Sequence, residues 1–533
     1  MRRSPSAALA SLLVTVLLVA GCTGGATDGP PPDEPTGATS AWSAMATWEP
    51  CPDLPRESLE QAMPAGVLPG ILLDLVTGLA ISVLTAGRTY ECATVPVPQD
   101  WSNPDSGETF DIALVRVRGD DAENRIGSLV VNPGGPGASG VDAAVYLSLP
   151  ELVGGLPDEV LEHFDIVGFD PRGVGRSSPV DCFSDADLDE MFGAEPDPVT
   201  DQEFAEAVAA SQRRTSACGN QYGDTLRYFS TRQTAHDLNL IRSVVGDEQL
   251  TYLGYSYGTL LGAVYAHLYP QNVRAMVLDG AVDPQPTGEG GGQAAGFERA
   301  FGNFADWCDS SPLECPLGPD TRATVTEAIE QARVSPVPGD DGRAATAGWV
   351  FLAVISTLYV QELWPQLGDA IADLQQGDPD GVFTLADIYT GRDGDGSYPN
   401  LFDANTAINC ADSDSRPTVA EVRTEQERLR GEYPMFGAPL AVGALDCAHW
   451  PAEPDPYPVG PAEGAPPIMV IGTTGDPATP YESTARLADL LGTGVVVTHE
   501  GEGHTVYPQA GCINEAVHAY LIDLSPPAAG TVC

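Results

Sequence analysis

A serine at the centre of a glycine-flanked pentapeptide is the first residue of this sequence that could do chemistry. The segment Gly254-Tyr255-Ser256-Tyr257-Gly258 matches the pattern G-x-S-x-G. An apolar run, Leu250–Tyr255, precedes the serine, and a helical pattern, Thr259–Leu268, follows it. A strand that enters a helix through a sharp glycine turn is the context of a nucleophile elbow, which lifts the serine hydroxyl above the strand ends. The sequence therefore predicts Ser256 as a nucleophile; the alternative is a structural serine in a glycine-rich turn.

A serine hydroxyl attacks a carbonyl only with the help of a general base, and a carboxylate must orient that base. Two loops late in the chain offer these groups: Asp476 follows a predicted strand, Pro467–Gly472, and His504 lies in a glycine-rich loop after the next one, Gly494–Thr498. The order serine, aspartate, histidine is typical of serine hydrolases built on a parallel sheet. His499 is a rival base, but it lies too near the end of the predicted strand. The predicted triad is therefore Ser256, Asp476 and His504.

The oxyanion of a tetrahedral intermediate requires backbone N–H donors at fixed positions. One predicted donor is the amide of Tyr257, directly after the nucleophile. The second is expected in a loop after an early strand, where the segment Gly134-Gly135-Pro136-Gly137 lets the backbone approach closely. Gly135 is the predicted donor in that loop. A phosphate-binding loop is the competing interpretation, yet the sequence holds no lysine to complete one.

The elements that must position these residues follow a regular pattern. Short β-type runs alternate with helical patterns from residue 109 to 279, and the alternation resumes from 467 to 524. This alternation predicts an α/β fold whose mostly parallel sheet is covered by helices. Between residues 284 and 451 helical segments and Gly/Asp/Pro loops replace it, which predicts an inserted, mostly helical cap. The predicted division is a first core segment 51–284, a cap 285–451 and a second core segment 452–533.

Composition excludes several other classes of protein. The 533 residues include 75 acidic and 25 basic side chains, a net charge of −50, and 43% are hydrophobic. A field of this sign repels nucleic-acid phosphates and anionic lipid head groups, so nucleic-acid binding is not expected. No C-x-x-C pair occurs, and no histidine has zinc-ligand spacing to a cysteine pair. Neither a metal site nor another cofactor is therefore expected.

Residues 1–22 have the features of an export signal. Two arginines precede a short apolar run, Ala7–Ala20, which ends at Gly21-Cys22. The run is too short to span a bilayer. Its ending resembles the lipobox of bacterial lipoproteins, which predicts lipidation of Cys22 and an outward-facing membrane lipoprotein. An ordinary secretory signal cut nearby, which would release the protein, is the alternative. Residues 23–50, rich in Gly, Pro, Thr and Ser, predict a flexible tether.

Eleven cysteines are an odd number for an exported protein. A lipid on Cys22 leaves ten of them, enough for five disulfides in an oxidising compartment. Sequence alone leaves their connectivity open. Pairing of neighbours into short loops favours Cys51–Cys92, Cys182–Cys218, Cys308–Cys315, Cys410–Cys447 and Cys512–Cys533.

One apolar segment does not fit the strand and helix alternation. Val67–Ala86 is almost entirely apolar, but it contains Pro69, Gly70 and Asp74. These residues argue against a bilayer span. The segment is predicted to be a buried or lid-like helical pair rather than a membrane contact.

The chain from about Cys51 to Cys533 resembles the secreted tripeptidyl aminopeptidases of actinobacteria, a branch of the α/β-hydrolase superfamily related to the proline iminopeptidases. The resemblance rests on the segments 92–98 (CATVPVP), 132–137 (NPGGPG), 168–173 (GFDPRG), 254–259 (GYSYGT), 407–410 (AINC) and 503–504 (GH). It implies an α/β-hydrolase fold, the same triad and the release of short peptides from free N-termini. It also implies that a cap segment, 410–413, lies close to the active site. The apolar insert departs from the family pattern.

An exopeptidase must recognise the terminal ammonium of its substrate with carboxylate or carbonyl oxygens at a fixed distance from the nucleophile. The acidic cap offers such groups, and Asp412 is the candidate; the alternative is an ordinary solvated carboxylate. The sequence thus predicts a serine exopeptidase that acts on peptide or protein N-termini and releases tripeptides. A proline iminopeptidase, an esterase or a lipase on the same fold are alternatives. A non-enzymatic peptide-binding lipoprotein is a further one, which the intact triad disfavours.

Overall fold

The computed structural model describes residues 46–61, 81–119, 124–285, 292–414 and 416–533. The predicted export signal with Cys22, most of the predicted tether, and residues 67–80 of the apolar insert lie outside the described residues. Across the described ranges, no helix is both long enough and apolar enough to cross a bilayer.

A large mixed sheet forms the centre of the molecule. The strands of the described residues are β1 (Glu49–Pro50), β2 (Arg88–Pro98), β3 (Thr109–Gly119), β4 (Gly127–Asn132), β5 (Phe164–Phe169), β6 (Leu250–Tyr255), β7 (Val273–Asp279), β8 (Val337–Pro338), β9 (Ala344–Ala345), β10 (Ile468–Gly475), β11 (Gly494–Glu502) and β12 (Thr531–Val532). The sheet has the order β1-β2-β3-β5-β4-β6-β7-β10-β11-β12, and β8 pairs with β9 separately. The neighbours from β1 to β5 in this order are antiparallel, and all later neighbours are parallel. The predicted α/β fold with a mostly parallel sheet is confirmed.

Helices cover both faces of the sheet and form a separate layer beyond its edge. The α-helices are α1 (Leu54–Gln61), α2 (Gly140–Leu147), α3 (Asp158–His163), α4 (Asp185–Gly193), α5 (Asp201–Tyr222), α6 (Thr231–Val244), α7 (Tyr257–Leu268), α8 (Gln293–Ser310), α9 (Thr321–Val334), α10 (Ala347–Leu358), α11 (Trp364–Leu374), α12 (Asp380–Thr390), α13 (Leu401–Asp412), α14 (Val419–Glu432), α15 (Gly437–Val442), α16 (Leu445–Ala448), α17 (Glu482–Leu491) and α18 (Gly511–Asp523).

The central strands are buried on both faces. Every residue of β4, β5 and β6 is buried, as expected for parallel strands between two helical layers. On β4, Val130 belongs to the apolar cluster that includes α6, α7 and α17. Its neighbour Val131 belongs to the cluster that includes α2, α3 and α18. Successive side chains point to opposite faces of a strand, so the run Leu129–Val131 contributes to both cores.

Two late strands extend farther than the sequence predicts. The expected ends are residue 472 for the strand before Asp476 and residue 498 for the strand before His504, whereas β10 ends at Gly475 and β11 ends at Glu502. Parallel pairing continues through this stretch with a register shift. Pairing between the two strands thus extends the sheet into glycine-rich segments that the sequence predicts to be loops.

Helices α8 to α16 lie between β7 and β10 in the chain, in the stretch predicted to be a helical cap. Aromatic rings form much of its core, and the rings of Phe297 and Phe436 stack with centroids 5.3 Å apart. Helices α4 and α5, from the connection between β5 and β6, also pack here, against α10 and α16 respectively. The helical layer, which we call the cap, therefore draws on a segment, 185–222, that the sequence does not assign to it.

Five disulfide bonds join the ten cysteines of the described residues. Their connectivity is the one favoured by short loops, so that prediction is confirmed. One bond, Cys410–Cys447, joins α13 to α16 inside the cap. Another, Cys512–Cys533, joins α18 to the end of the chain beside the last sheet strand.

Candidate active site

Strand β6 ends at Tyr255 and helix α7 begins at Tyr257, so Ser256 occupies the turn between them. Its φ of 57° and ψ of −123° are values that residues with a side chain rarely adopt. The turn can be this sharp because Gly254 and Gly258 lie against each other: a Cβ on Gly254 would be 2.4 Å from the carbonyl oxygen of Gly258. The two glycines of the pentapeptide are thus required by close backbone approach, as in a nucleophile elbow.

Ser256 is held by its backbone, while its hydroxyl makes no hydrogen bond to the described residues. The N–H of Ser256 donates to the carbonyl oxygen of Asp279 at 2.8 Å, which fixes the elbow to the end of β7. The residue is fully buried, and its Oγ has no hydrogen-bond partner in the part of the chain that the structure describes. A buried polar atom without a partner costs about 1–3 kcal/mol. The fold therefore holds this hydroxyl ready for a reactant.

Asp476 and His504 are in direct contact at the carboxyl ends of β10 and β11. His504 Nδ1 lies 2.9 Å from each carboxylate oxygen of Asp476. The carboxylate also accepts the N–H groups of Ala478 at 2.9 Å and Thr479 at 2.8 Å, and the Thr479 hydroxyl at 2.8 Å. With Nδ1–H donating to the carboxylate, Nε2 of the ring is the basic atom. Nε2 is buried and has no partner among the described residues.

The histidine and the serine lie close together at the carboxyl ends of the parallel strands, a region that we call the sheet edge. Gly280 follows Asp279, the residue that accepts the N–H of Ser256. A Cβ on Gly280 would lie 3.1 Å from Cε1 of His504, so the imidazole ring packs on this turn. Between the two described side chains, Ser256 Oγ and His504 Nε2 make no hydrogen bond, although both atoms are buried. In an unliganded hydrolase this bond is often long and tightens when substrate binds.

The glycine loop after β4 lies directly against the elbow. A Cβ on Gly134 would be 3.0 Å from Cβ of Ser256 and 3.1 Å from the backbone nitrogen of Tyr257. The N–H of Gly134 is already used, because it donates to Oδ1 of Asn132 at 3.0 Å. The next amide, that of Gly135, is therefore the available one, and Tyr257 stands in the first turn of α7, where N–H groups lack helical partners. The two predicted oxyanion donors belong to backbone segments that meet at Ser256.

His499, the rival base, lies within β11, because that strand continues to Glu502. Its ring packs on Gly501, where a Cβ would be 2.4 Å from Nε2 of His499. In the described part of the chain it makes no hydrogen bond to Asp476, whereas His504 contacts both carboxylate oxygens. The geometry favours His504 over His499 as the base.

Asp412, the candidate ammonium partner, is the last residue of α13 and lies two side chains away from the elbow. Its oxygens accept the N–H of Thr231 at 2.7 Å and the hydroxyl of Thr231 at 2.6 Å. The same hydroxyl is hydrogen-bonded to the phenol of Tyr257. Burial raises the pKa of Asp412 to about 8, although the bonds from Thr231 oppose the shift. Such a carboxyl is mostly neutral at pH 7, and a bound cation would favour its ionised form.

Three residues that support the triad are not predicted from the sequence. Arg299, on cap helix α8, donates to the backbone oxygen of Asp476 at 2.9 Å. Tyr359, which follows α10, accepts the N–H of His504 at 2.9 Å, and its ring meets the imidazole edge-to-face. Thr479 bonds to the carboxylate of Asp476. Only Thr479 has a sequence signal, because an aspartate followed three residues later by a threonine suits a local side-chain turn; the two cap contacts depend on the tertiary fold.

A cavity of about 790 Å³ lies inside the cap. Its lining residues all come from the segments 189–214, 342–355, 402–410 and 439–447. Asn405 on α13 connects it to the site, because this lining residue donates to the carbonyl oxygen of Pro136 in the glycine loop at 2.9 Å. None of the triad residues lines the cavity. As for metals, no group of three or more His, Cys, Asp and Glu side chains in the described ranges is placed to bind one.

Comparison with known proteins places this site in a family. The model described as "alpha/beta hydrolase fold" matches residues 127–350, and the model described as "TAP-like protein" matches residues 433–533. The serine protease Hip1 of Mycobacterium tuberculosis is 39% identical over 467 residues, which cover 83% of this chain and 87% of the relative. The chain belongs to the α/β-hydrolase family.

Other members of the α/β-hydrolase family have different names. A protein named carboxylesterase B from Mycobacterium tuberculosis is 35% identical over 465 residues, with 84% of this chain and 86% of the relative covered. The tripeptidyl aminopeptidase of Streptomyces coelicolor is 29% identical over 455 residues, with 84% of this chain and 83% of the relative covered. The resemblance to actinobacterial tripeptidyl aminopeptidases found in the sequence is confirmed.

Proposed function

We propose that this protein is a serine exopeptidase that releases tripeptides from the free N-termini of peptides or proteins. The observation that carries the proposal is the contact between Asp476 and His504 Nδ1, next to an elbow where Ser256 Oγ and His504 Nε2 are both buried and without partners among the described residues. Relatives named serine protease and tripeptidyl aminopeptidase support peptides as the substrate class.

In the proposed reaction, Ser256 Oγ attacks the carbonyl carbon of the scissile peptide bond, and its proton moves to Nε2 of His504. Asp476 stabilises the imidazolium that results. The N–H groups of Gly135 and Tyr257 hold the oxyanion. His504 then protonates the leaving amine, which departs and leaves an acyl-enzyme on Ser256. Water attacks this ester with His504 as the base, which releases the peptide and restores the serine.

Selection of tripeptides requires a measured distance between the substrate's amine and the nucleophile. Three residues of extended chain span roughly 10 Å. Asp412 is the proposed partner of the amine, since it lies in the cap and is linked to the elbow through Thr231 and Tyr257. Acetylation of the substrate would remove the ammonium and with it the ion pair, and Asp412 would return to its mostly neutral form; we expect this to slow cleavage about tenfold or more. A closed pocket of this depth would also exclude longer N-terminal extensions.

An esterase on the same fold is the second candidate. The relative named carboxylesterase B favours it, and an ester can be cleaved by the same nucleophile, base and oxyanion donors. The two candidates differ in what the cap must recognise, because an esterase has no need of a free amine.

Four chromogenic substrates distinguish these candidates: a free tripeptide anilide, its N-acetylated form, a single-prolyl anilide and a butyryl ester. We expect the free tripeptide anilide to be cleaved about tenfold or more faster than the acetylated form. Equal rates on both anilides would contradict the exopeptidase proposal while leaving the triad intact. Hydrolysis of the ester alone would identify an esterase, and preference for the prolyl anilide an iminopeptidase. The Ser256→Ala variant is the control with every substrate.

We also propose that the protein is exported and anchored by a lipid on Cys22. Five disulfides pair ten of the eleven cysteines, and the eleventh is Cys22; such pairing supports an oxidising compartment. The Cys22→Ala variant should leave the membrane fraction, and alkylation of the native protein should modify no cysteine. A Cys22→Ala variant that stays with the membrane would contradict the anchor.

A further inference from the structure

Asp279, the last residue of β7, is a second buried carboxylate beside the triad. Its Oδ2 accepts the N–H groups of Val506 at 2.9 Å and Tyr507 at 2.8 Å, in the loop that follows His504. Its backbone oxygen accepts the N–H of Ser256 at 2.8 Å. One residue thus ties the loop that carries the base to the turn that carries the nucleophile.

Both segments tied by Asp279 contain a strained backbone. Ser256 has a φ of 57° and Thr505 a φ of 62°, positive values at residues that are not glycine. Such conformations persist only where surrounding contacts hold them. Asp279 bonds to Ser256 itself and to Val506, the residue directly after Thr505. Its position is therefore that of a residue that maintains the relative placement of serine and histidine.

The second oxygen of Asp279 is not used by the fold. Oδ1 is buried and has no hydrogen-bond partner in the described part of the chain. The backbone turns at the next residue, Gly280, where a Cβ would be 3.1 Å from Cε1 of His504. Two hydrogen bonds to Oδ2 would suffice for a purely structural carboxylate. The unused oxygen, next to the turn on which the imidazole packs, points to a further role.

The charges around Asp279 are those of the triad. His504 and Asp476 are the ionisable groups that act on its carboxyl group, and the phenols of Tyr255 and Tyr507 are the other titratable groups nearby. Within the described residues no arginine forms an ion pair with it. Burial raises the pKa of Asp279 to about 6, while the N–H donors and the imidazole oppose the shift. At neutral pH the carboxylate is mostly ionised, and it can balance the imidazolium that forms on His504 during the reaction.

We propose that Asp279 is a positioning residue of the acyl-transfer reaction, which holds the His504 loop and supplies a second negative charge to the imidazolium. When Ser256 Oγ attacks, its O–H bond breaks and the proton joins Nε2, so the ring gains one positive charge. Asp476 balances that charge through the Nδ1 hydrogen bond, and Asp279 acts on it through space. The inference rests on the proposed triad and not on the choice of substrate.

The Asp279→Asn variant tests this role in the full-length protein with p-nitrophenyl acetate, an ester that requires the triad but no peptide recognition. The amide oxygen of asparagine can still accept the N–H groups of Val506 and Tyr507, so these contacts are kept, while the charge is lost and an amide NH₂ replaces Oδ1. Without that charge the imidazolium that forms on His504 is less stable, so proton transfer from Ser256 becomes less favourable. We expect the acidic limb of kcat/KM, which reports deprotonation of the base, to move to lower pH by about one unit, with a plateau about tenfold lower.

Asp170→Asn is the matched control for the pH shift. Asp170 also follows a central strand, burial raises its pKa to about 6 as well, and it accepts the N–H groups of Val141 and Arg176. Among the described residues it makes no hydrogen bond or ion pair to the histidine loop, so its substitution should leave the acidic limb in place whatever it does to the rate. If the acidic limb of kcat/KM in Asp279→Asn keeps its position, or shifts no more than it does in the control, the proposal is wrong.

Two further variants keep the test decisive. If Asp279→Asn does not fold, Asp279→Thr repeats the measurement, because the threonine hydroxyl can accept one of the two loop bonds and carries no charge. We expect the same shift of the acidic limb to lower pH, and a limb that does not shift would again contradict the proposal. Ester hydrolysis that survives in Ser256→Ala would refute the proposed triad itself, which distinguishes failure of the proposed function from failure of the role of Asp279.

Discussion

The sheet edge and the cap of this protein are held together by different kinds of contact. At the sheet edge the carboxylates of Asp170, Asp279 and Asp476 are fully buried, and each accepts at least two backbone N–H groups. In the cap, several carboxylates are partly exposed and are held by arginine side chains, although Asp403 on α13 is buried and accepts two backbone N–H groups. Such pairs include Arg343–Asp387, Arg392–Asp189 and Arg430–Asp197.

The difference between these two kinds of contact indicates different roles for the two regions. A carboxylate fixed by backbone donors inside the sheet edge has one position, as is required of a group that orients a catalytic histidine. A partly exposed ion pair contributes only about 0–1 kcal/mol and can be replaced with little loss of stability. We therefore expect the sheet edge to determine the chemistry and the cap to determine the substrate.

The largest expected effect tests the sheet edge directly. Ser256→Ala and His504→Ala should each lower turnover by about 10⁴ to 10⁶, because they remove the nucleophile and the base. The drop should be the same for peptide and ester substrates, and thermal unfolding should change little. His499→Ala is the matched control and should be mild, since His499 lies within β11. A larger loss in His499→Ala than in His504→Ala would move the base to His499.

Disulfides allow the two regions to be perturbed separately. The double variant Cys410→Ser/Cys447→Ser removes the bond between α13 and α16 in the cap, and we expect it to lower the free energy of unfolding by about 2–4 kcal/mol. It should also raise KM for peptides more than for a small ester. Cys512→Ser/Cys533→Ser, at the sheet edge, is the control and should destabilise the protein without changing the ratio of the two substrates. An unchanged ratio in the cap variant would contradict the division.

The sequence predicts the sheet edge better than the cap, and the reason is physical. Triad residues stand in loops directly after strands, and strand runs, sharp glycine turns and chain order are local patterns. The strand Leu250–Tyr255 before Ser256 agrees with the structure at both ends. Contacts such as Arg299 with the backbone of Asp476, or Tyr359 with His504, join residues more than a hundred positions apart, and each uses at least one backbone group, which every residue has. No local sequence pattern predicts such contacts.

Asp412 lies where the two regions meet, and its substitution should change selection rather than chemistry. Asp412→Asn keeps an acceptor for Thr231 but cannot bind an ammonium as an ion. We expect the preference for a free over an acetylated tripeptide anilide to fall by about tenfold or more and so to be largely lost, while hydrolysis of p-nitrophenyl acetate changes little. Rates on the two anilides as a function of concentration provide the measurement. A preference that survives in Asp412→Asn would show that another group binds the amine.

The smallest expected effect tests whether the division between sheet edge and cap is complete. Arg299 belongs to the cap, yet its Nη2 donates to the backbone oxygen of Asp476 at 2.9 Å. Loss of one such hydrogen bond is worth about 0.5–1.5 kcal/mol, so Arg299→Gln should lower kcat by about 3- to 10-fold. Because the acid acts on every substrate, the loss should be equal for peptide and ester, with KM unchanged.

Arg322→Gln is the control for that measurement. Arg322 is another cap arginine and is about half exposed. It pairs at 2.8 Å with Glu298, a carboxylate outside the triad loops. Its substitution should leave both rates unchanged. If Arg299→Gln lowers kcat for both substrates, the cap contributes to the chemistry by holding the acid loop, and the two regions form one catalytic unit. If only KM for the peptide rises, Arg299 takes part in selection alone, and the sheet edge positions Asp476 with its own backbone donors at Ala478 and Thr479.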